Sequence, residues 1–303
     1  MEVNPNIPAH APIAAIESRN LLKLAHDLER ECSPELGEEI LVVGSVGWGY
    51  ADAHSDLDLE FWVKSLPPLE KALAWLQAAG AVDLQPDTAS AEGELNIISR
   101  YGGVWLEAGW RELTRKEKLV QSVVTGQDTS RASLLEVGNI VHAIPVRTSG
   151  AFKSWQERLS SYPDAVREGV IIAASAFWRF PHRVEMLWIL ARRQEVLGLT
   201  TWLLADVSDA LRILFALNRQ WETDWKHLRK ASSWLAIQPD NLTERVVQVF
   251  SARSLEQRVA IAMRLILDIL GLVPSGIDVM KARSNIQRSL AAHVLLEDKG
   301  ASQ

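Results

Sequence analysis

Apolar and polar positions follow two different periodicities along the chain, and the change from one to the other falls near residue 150. Before it, short apolar runs predict strands. These runs are EEILVVG, LDLEFWV, ELNIIS and GVWLEAGW. Helical patterns lie among them at about residues 12–31 and 67–79. The first half is therefore predicted to be α/β, with strands and helices packed together.

After residue 150, apolar residues recur at spacings of three and four, which is typical of helices that bury one face. The clearest cases are VEMLWILARRQEVLG, TWLLADVSDALRILFALNRQW and LEQRVAIAMRLILDILGLV. The segment AIPVRTSGAF, residues 143–152, carries Pro145 and Gly150 and is the predicted connector. The chain is thus predicted to be α+β, with one domain over residues 1–142 and an all-α helical bundle over residues 151–303.

The segment DLDLEFWV places acids inside a predicted strand. Asp56, Asp58 and Glu60 alternate with apolar residues, so the three acids share one face and the apolar residues share the other. Acids at alternate positions of a strand lie about 7 Å apart, and their like charges need either full solvent or a cation between them. A divalent metal ion is the natural candidate.

A glycine-rich turn precedes the acid strand. Gly44 and Ser45 follow the strand EEILVVG directly, and the turn continues as VGWGYADAHS. Glycine lets the backbone approach a ligand closely, and the amides of such a turn can bind phosphate oxygens with help from the Ser45 hydroxyl. Since Mg²⁺ is commonly held by one or two carboxylates together with substrate phosphates, the two features predict phosphoryl-type chemistry.

Other sequence patterns narrow the choice of protein class. The chain has no G-x-x-x-x-G-K-[ST] loop, GSVGWG is not followed by the helix and distant acid of a dinucleotide fold, and no Cys/His metal spacing occurs. The 303 residues are 48% hydrophobic, which suits a large core, and the formal net charge of −6 argues against broad nucleic-acid binding.

Cysteine content and hydropathy indicate the compartment. Cys32 is the single cysteine, so no internal disulfide forms. The first 20 residues lack the basic start and apolar run of a signal peptide, and no stretch is long and apolar enough to span a membrane. We therefore expect a cytoplasmic protein without a membrane partner.

The joint pattern resembles a known superfamily. It is similar to the signature of polymerase-β-like nucleotidyltransferases. The pattern consists of Gly44 and Ser45, ten intervening residues, and the acid-apolar-acid-apolar segment Asp56–Leu59. The resemblance implies that the first domain contains a small mixed sheet. It also implies that Gly44 and Ser45 bind the nucleotide and that Asp56 and Asp58 bind Mg²⁺, with two ions. It also implies a third acid on a neighbouring strand, acting as metal ligand or as base.

Glu107 is the predicted third acid. In GGVWLEAGW it lies on the face opposite the apolar face, whereas Glu94 at a strand start and Glu60 two residues past Asp58 are alternatives. Glutamate stands where the superfamily more often has aspartate, which leaves the choice between base and metal ligand open.

The helical half resembles the second domain of bacterial nucleotidyltransferase-like proteins that carry the uncharacterised DUF4037 domain, and the resemblance covers most of residues 36–240. The segments GAFKSWQERLSSYPDAVREGVIIAASAFW and VSDALRILFALNRQWETDWKHLRKAS carry the resemblance, and the second departs from it at Trp221 and His227. If one helix continues through RQWETDWK, Arg219 and Lys226 lie two turns apart and could contact a triphosphate. The architecture is similar to that of aminoglycoside and lincosamide nucleotidyltransferases, which implies a small-molecule acceptor and a homodimer.

The resulting expectation is a Mg²⁺-dependent nucleotidyltransferase that moves NMP, most simply AMP from ATP, to a nucleophile of a small molecule. Two alternatives stay open at this point. One is a toxin-like or regulatory nucleotidyltransferase that modifies tRNA or protein, which would need a basic stripe. The other is a non-catalytic nucleotide-binding or antitoxin-like module that keeps the fold.

Overall fold

The computed structural model describes residues 16–87 and 91–300, with side chains as far as His293. The chain forms two compact units: residues 1–128 with 132–161, and residues 129–131 with 162–303. One mixed sheet lies in the first unit and the second unit is helical, which confirms the predicted α+β class with a helical C-terminal region. The predicted boundary between residues 142 and 151 stays a prediction. No helix in the described part of the chain is long and apolar enough to cross a membrane.

The first unit contains six strands and six helices in its described part, one of them a single turn. The strands are β1 (Glu39–Val42), β2 (Leu57–Val63), β3 (Val82–Pro86), β4 (Glu94–Tyr101), β5 (Val104–Glu112) and β6 (Ile144–Arg147). The helices are α1 (Ile16–Arg30), the single turn α2 (Gly44–Gly47), α3 (Leu69–Ala78), α4 (Leu113–Val124), α5 (Arg131–His142) and α6 (Ala151–Arg158). A short 3₁₀ helix, Pro34–Leu36, precedes β1.

The six strands form one sheet in the order β3-β4-β5-β2-β1-β6. Every neighbouring pair is antiparallel except β2 and β5, which run parallel at the centre. Parallel neighbours need a long connection, and here α3, β3 and β4 lie between β2 and β5 in the chain. The central parallel pair places the acids of β2 beside those of β5.

One face of this sheet is the core of the first unit. Leu57, Leu59 and Phe61 of β2 are at most 2% exposed, and Leu106, Ala108 and Trp110 of β5 on the same face are fully buried. Apolar side chains of α1 and α3 pack against them. The ring of Phe61 stacks on Trp110 with centroids 4.7 Å apart. This burial confirms the predicted alternation, because the intervening acids then lie on the opposite face.

Two strands were not predicted. β3 (Val82–Pro86) is an edge strand with three exposed and two half-buried residues, so it carries no apolar run that would indicate it. β6 (Ile144–Arg147) falls inside the predicted connector and forms the other edge. Pro145 is tolerated there because an edge strand has one side without ladder hydrogen bonds.

The second unit is built around one long helix. Its described helices are α7 (Asp164–Ser175), α8 (Pro181–Arg192), α9 (Val196–Leu217), α10 (Leu228–Ser232), α11 (Leu242–Ser251), α12 (Leu255–Gly271) and α13 (Met280–Gly300), with 3₁₀ helices at Phe177–Arg179 and Trp225–His227. α9 contacts α7, α8, α11 and α12, so it is apolar on several sides. The apolar pattern at 184–198 is interrupted at Gln194, whose left-handed φ of 58° separates α8 from α9.

Candidate functional site

Asp58 of β2 and Glu107 of β5 lie side by side on the face of the sheet opposite the core. In the parallel ladder, Asp58 is paired with Glu107. Side chains paired in this way point to the same face, and neighbouring strands lie about 4.8 Å apart. Asp58 is half-buried and Glu107 is exposed. The structure therefore brings these two predicted residues together.

Gly44 and Asp58 are in direct contact. The Val43 amide donates a hydrogen bond to the Asp58 carbonyl at 3.0 Å, which holds the start of the turn against β2. Gly44 has a φ of +59°, and a Cβ at this position would lie 1.8 Å from Asp58 Oδ2. Glycine is thus required twice, for its backbone conformation and for the space that the carboxylate occupies.

Ser45 lies in the single helical turn α2. Its side chain is 5% exposed, and within the described part of the chain its hydroxyl has no hydrogen-bond partner. A buried hydroxyl without a partner costs free energy, and this hydroxyl belongs to the residue next to Gly44.

A tight loop places Asp56 just before β2. The Asp52 amide donates to the Ser55 hydroxyl at 2.9 Å, and the Ser55 amide donates to the Asp52 carbonyl at 3.0 Å. The Asp52 carboxylate also accepts the His54 amide at 2.9 Å. These bonds order the loop, and Asp56 follows it as a half-buried residue.

The two alternatives for the third acid are engaged elsewhere. Glu60 lies 2.9 Å from Lys116 and accepts the indole N–H of Trp62 at 2.8 Å. Glu94 forms an ion pair with Arg115. By contrast, the carboxylate of Glu107 has no hydrogen bond or ion pair to any of the described residues. The geometry favours Glu107 over both.

The acids do not form a preassembled metal cluster. Among residues 16–87 and 91–293, no group of three or more His, Cys, Asp or Glu side chains converges tightly enough to hold a metal ion. Asp56, Asp58 and Glu107 nevertheless supply carboxylate oxygens, which are the donors that Mg²⁺ prefers.

Arg219 and Lys226 lie in the second unit, and the predicted helix through them is wrong. α9 ends at Leu217, and Arg219 adopts a left-handed φ of 53°. Its guanidinium contacts the Asp164 carboxylate at 2.5 Å and the Tyr162 carbonyl at 3.0 Å.

The side chain of Asn218 explains why the helix stops. It donates to the Leu214 carbonyl at 2.8 Å and to the Ile237 carbonyl at 2.7 Å, which caps the end of α9. Lys226 is exposed on the separate 3₁₀ helix Trp225–His227, where the Asp224 carboxylate accepts its amide at 2.9 Å. The two cations are therefore not on one helical face.

Sequence reasoning missed a buried lysine beneath the acid face. Lys116 of α4 is fully buried and lies 2.8 Å from Glu136 of α5 as well as 2.9 Å from Glu60. Burial alone would raise the pKa of Glu60, but the charges of Lys116 and Arg111 outweigh it and lower that pKa. A signal was present in the sequence, because Lys116 falls on the same helical stripe as Val120.

The second unit holds two buried ion pairs of its own. Glu222 accepts from Arg212 at 3.0 Å, and burial raises the pKa of Glu222 to about 7. Asp206 accepts from Arg183 at 3.0 Å and its pKa rises to about 6, again through burial. Both acids are no more than 2% exposed, so they connect elements of the helical unit rather than line an open site.

Comparison with protein families matches a segment that includes parts of both units. Residues 127–228 match the family described as "Domain of unknown function (DUF4037)", which confirms the predicted resemblance over this segment. No curated protein matches the chain.

Among solved structures, the chain is similar to a nucleotidyltransferase-like protein from Exiguobacterium sibiricum. The two share 12% sequence identity with a TM-score of 0.38, over 84% of this chain and 73% of that one.

Proposed function

We propose that the protein is a Mg²⁺-dependent nucleotidyltransferase, which moves a nucleoside monophosphate, most simply AMP from ATP, to a hydroxyl or similar nucleophile of a small molecule. The observation that carries the proposal is the contact between the Asp58 carboxylate and the backbone of Gly44, with Glu107 beside Asp58 on the same face. This contact places a carboxylate that could bind a metal ion next to backbone amides that could bind phosphate.

Asp56 and Asp58, with Glu107, are the proposed ligands of two Mg²⁺ ions. Mg²⁺ commonly uses one or two protein carboxylates and completes its coordination with water and substrate phosphates, so three converging side chains are not needed beforehand. Bound Mg²⁺ would neutralise the charge that develops on the phosphates.

The remaining roles belong to side chains and backbone of this chain. The turn at Gly44 and the hydroxyl of Ser45 would hold the β and γ phosphates. Glu107 would take the proton of the attacking hydroxyl, or bind metal in its place. Lys226 and Arg219 are proposed contacts of the triphosphate, and Arg219 would have to exchange its bond to Asp164 for that role.

Gly44→Ala is expected to reduce turnover roughly 10²-fold, because a displacement of about 1 Å at reacting groups can cost that much. The new methyl group would overlap the Asp58 carboxylate and force it to move. The left-handed backbone would add a stability cost of about 1–2 kcal/mol. Turnover is measured as Mg²⁺- and ATP-dependent pyrophosphate release with a panel of acceptors.

Gly103→Ala is the matched control. Gly103 also has a left-handed φ, +86°, but apart from its chain neighbours no heavy atom of the described residues lies within 4 Å of a Cβ placed there. The control should therefore show the backbone cost alone and keep its turnover. Equal turnover in the two variants would contradict a role for the contact between Gly44 and Asp58.

Glu107→Gln is expected to reduce the rate about 10²-fold or more while nucleotide affinity changes little, because general-base catalysis contributes typically 10²–10⁴-fold. The measurement pairs single-turnover rates with equilibrium binding of ATP and Mg²⁺. Weakened nucleotide binding would instead assign Glu107 to the metal.

Glu94→Gln serves as the control for this prediction, since Glu94 lies on the neighbouring strand β4 and is paired with Arg115 of α4. Its rate should stay close to that of the unaltered protein. A full rate in Glu107→Gln together with a loss in Glu94→Gln would transfer the role to Glu94.

A further inference from the structure

The acid face of the sheet continues into an exposed apolar surface. In the antiparallel ladder of β4 and β5, Ile98 is paired with Glu107 and Arg100 with Trp105, and Val82 of β3 is paired with Arg100. Val82, Ile98 and Trp105 are 56%, 42% and 48% exposed. We call the surface formed by Val82, Ile98, Arg100 and Trp105 the Trp105 platform.

The platform directly adjoins the candidate site. Ile98 and Glu107 are neighbours across one strand spacing, about 4.8 Å. Trp105 precedes Glu107 by two residues on β5, which corresponds to about 7 Å along the strand. A small molecule lying on Trp105 and Ile98 would therefore present one end to Glu107.

Arg100 gives the platform its charge. Its guanidinium lies over the Trp105 ring, 4.8 Å from the ring centroid. Among residues 16–87 and 91–293, no carboxylate forms an ion pair with it. A guanidinium stacked on a ring keeps its N–H donors at its edge, where they can bind a carboxylate in a bidentate manner.

Other cations of the same sheet region already have partners. Arg111 donates to the Asn96 side chain at 2.7 Å, Arg115 pairs with Glu94, and Lys116 lies between two glutamates. Arg100 thus differs from its neighbours. It is exposed, its guanidinium stacks on an aromatic ring, and no carboxylate of the described residues pairs with it. These are the properties of a site for an aromatic anion.

We propose that the Trp105 platform binds the acceptor and that the acceptor is a compact hydroxylated aromatic carboxylate. Its ring would stack against Trp105 and Ile98, its carboxylate would bind Arg100, and its hydroxyl would lie at Glu107. This proposal rests on the proposed function. The acceptor oxygen would bond to the α-phosphorus, the bond from that phosphorus to the β-phosphate oxygen would break, pyrophosphate would leave with the electron pair, and the hydroxyl proton would pass to Glu107.

Binding of a probe without nucleotide or Mg²⁺ tests the platform separately from catalysis. The probes are 6-hydroxy-2-naphthoate and its neutral analogue 6-hydroxy-2-naphthamide, with affinities measured by ligand-observed NMR titration. We expect the carboxylate to bind at least about 10-fold more tightly than the amide, since charge-assisted bonds to arginine are the stronger kind. Arg100→Gln should remove this difference, and Trp105→Ala should weaken both probes about 5-fold or more.

Two further variants make the result specific. Phe180→Ala removes an aromatic side chain of the second unit that is 61% exposed, and it should bind both probes unchanged. Asp58→Asn should also keep probe binding, so a failure of the proposed transfer reaction is distinguishable from a failure of the platform.

Three outcomes would overturn the proposal. They are equal affinity for the two probes in the unaltered protein, unchanged binding in Trp105→Ala, and an oligomeric state that changes with Trp105→Ala in sedimentation experiments. The last would identify the platform as a contact between copies of the chain. Ile98→Ser provides a second test of the surface and should also weaken both probes.

Discussion

Asp58→Asn is expected to reduce Mg²⁺-dependent pyrophosphate release roughly 10³-fold or more. Metal assistance to phosphoryl transfer supplies several kcal/mol, and each 1.36 kcal/mol corresponds to a factor of ten in rate. Asparagine keeps the shape of the side chain and removes a negative charge from the acid face, so the fold should be retained. Pyrophosphate release across a panel of acceptors and Mg²⁺ concentrations measures the effect.

Asp83→Asn is the matched control for this substitution. Asp83 is an exposed acid of the same sheet, on β3, and its left-handed φ of 56° is one that asparagine also tolerates. The control should keep full turnover. If Asp58→Asn released pyrophosphate as fast as Asp83→Asn, the assignment of the metal site would be wrong.

Lys116→Met is expected to destabilise the first unit by about 3–5 kcal/mol, the usual cost of removing one partner from a buried ion pair. Methionine fills similar space, but it leaves Glu60 and Glu136 without their shared cation. Glu60 is only 12% exposed, so its charge would be poorly solvated. Urea denaturation followed by tryptophan fluorescence measures the change in the free energy of unfolding.

The pH dependence of that difference follows from the lowered pKa of Glu60. A carboxyl group whose pKa is lower in the folded state contributes stability that is fully present above its unfolded pKa, about 4.3, and is lost as the pH falls through the folded value. The stability difference between the unaltered protein and Lys116→Met should therefore be largest near neutral pH and narrow below about pH 4.

Two comparisons distinguish the effect of the buried charge on stability from the effect of packing. Lys64→Met removes a lysine that is 81% exposed and pairs with Glu38 at 3.4 Å, and it should cost less than about 1 kcal/mol. Adding Glu60→Gln to Lys116→Met should recover part of the lost stability, because one uncompensated charge disappears. Equal costs for the two single lysine variants would contradict the expected importance of the buried pair.

The acid face was predictable because strand alternation is a local property. The pattern around Asp58 and Glu107 fixes which face each side chain takes once the strands are recognised, and the burial of Leu57 and Leu106 agrees with it. Likewise, the three- and four-residue spacing of apolar residues was sufficient to predict the helical second half.

The missed features depend on long-range partners that a local pattern does not contain. β6 forms because β1 offers it a free edge, although Pro145 argued for a connector. Lys116 is charged at a buried position, which only its two glutamates from other elements can explain. The end of α9 depends on Asn218, whose side chain reaches the carbonyl of Ile237, nineteen residues away.

The pairing of β1 with β6 has a consequence for the protein while it is being synthesised. Val42 is paired with Ile144, so the outer edge of β1 has no partner until about 100 more residues have been made. At about 5–20 residues per second this interval lasts roughly 5–20 s. An unpaired strand edge of wholly buried residues is a template for association with other chains. During this interval the β1 edge of the nascent chain is open to association with other chains, and the pairing with β6 closes it.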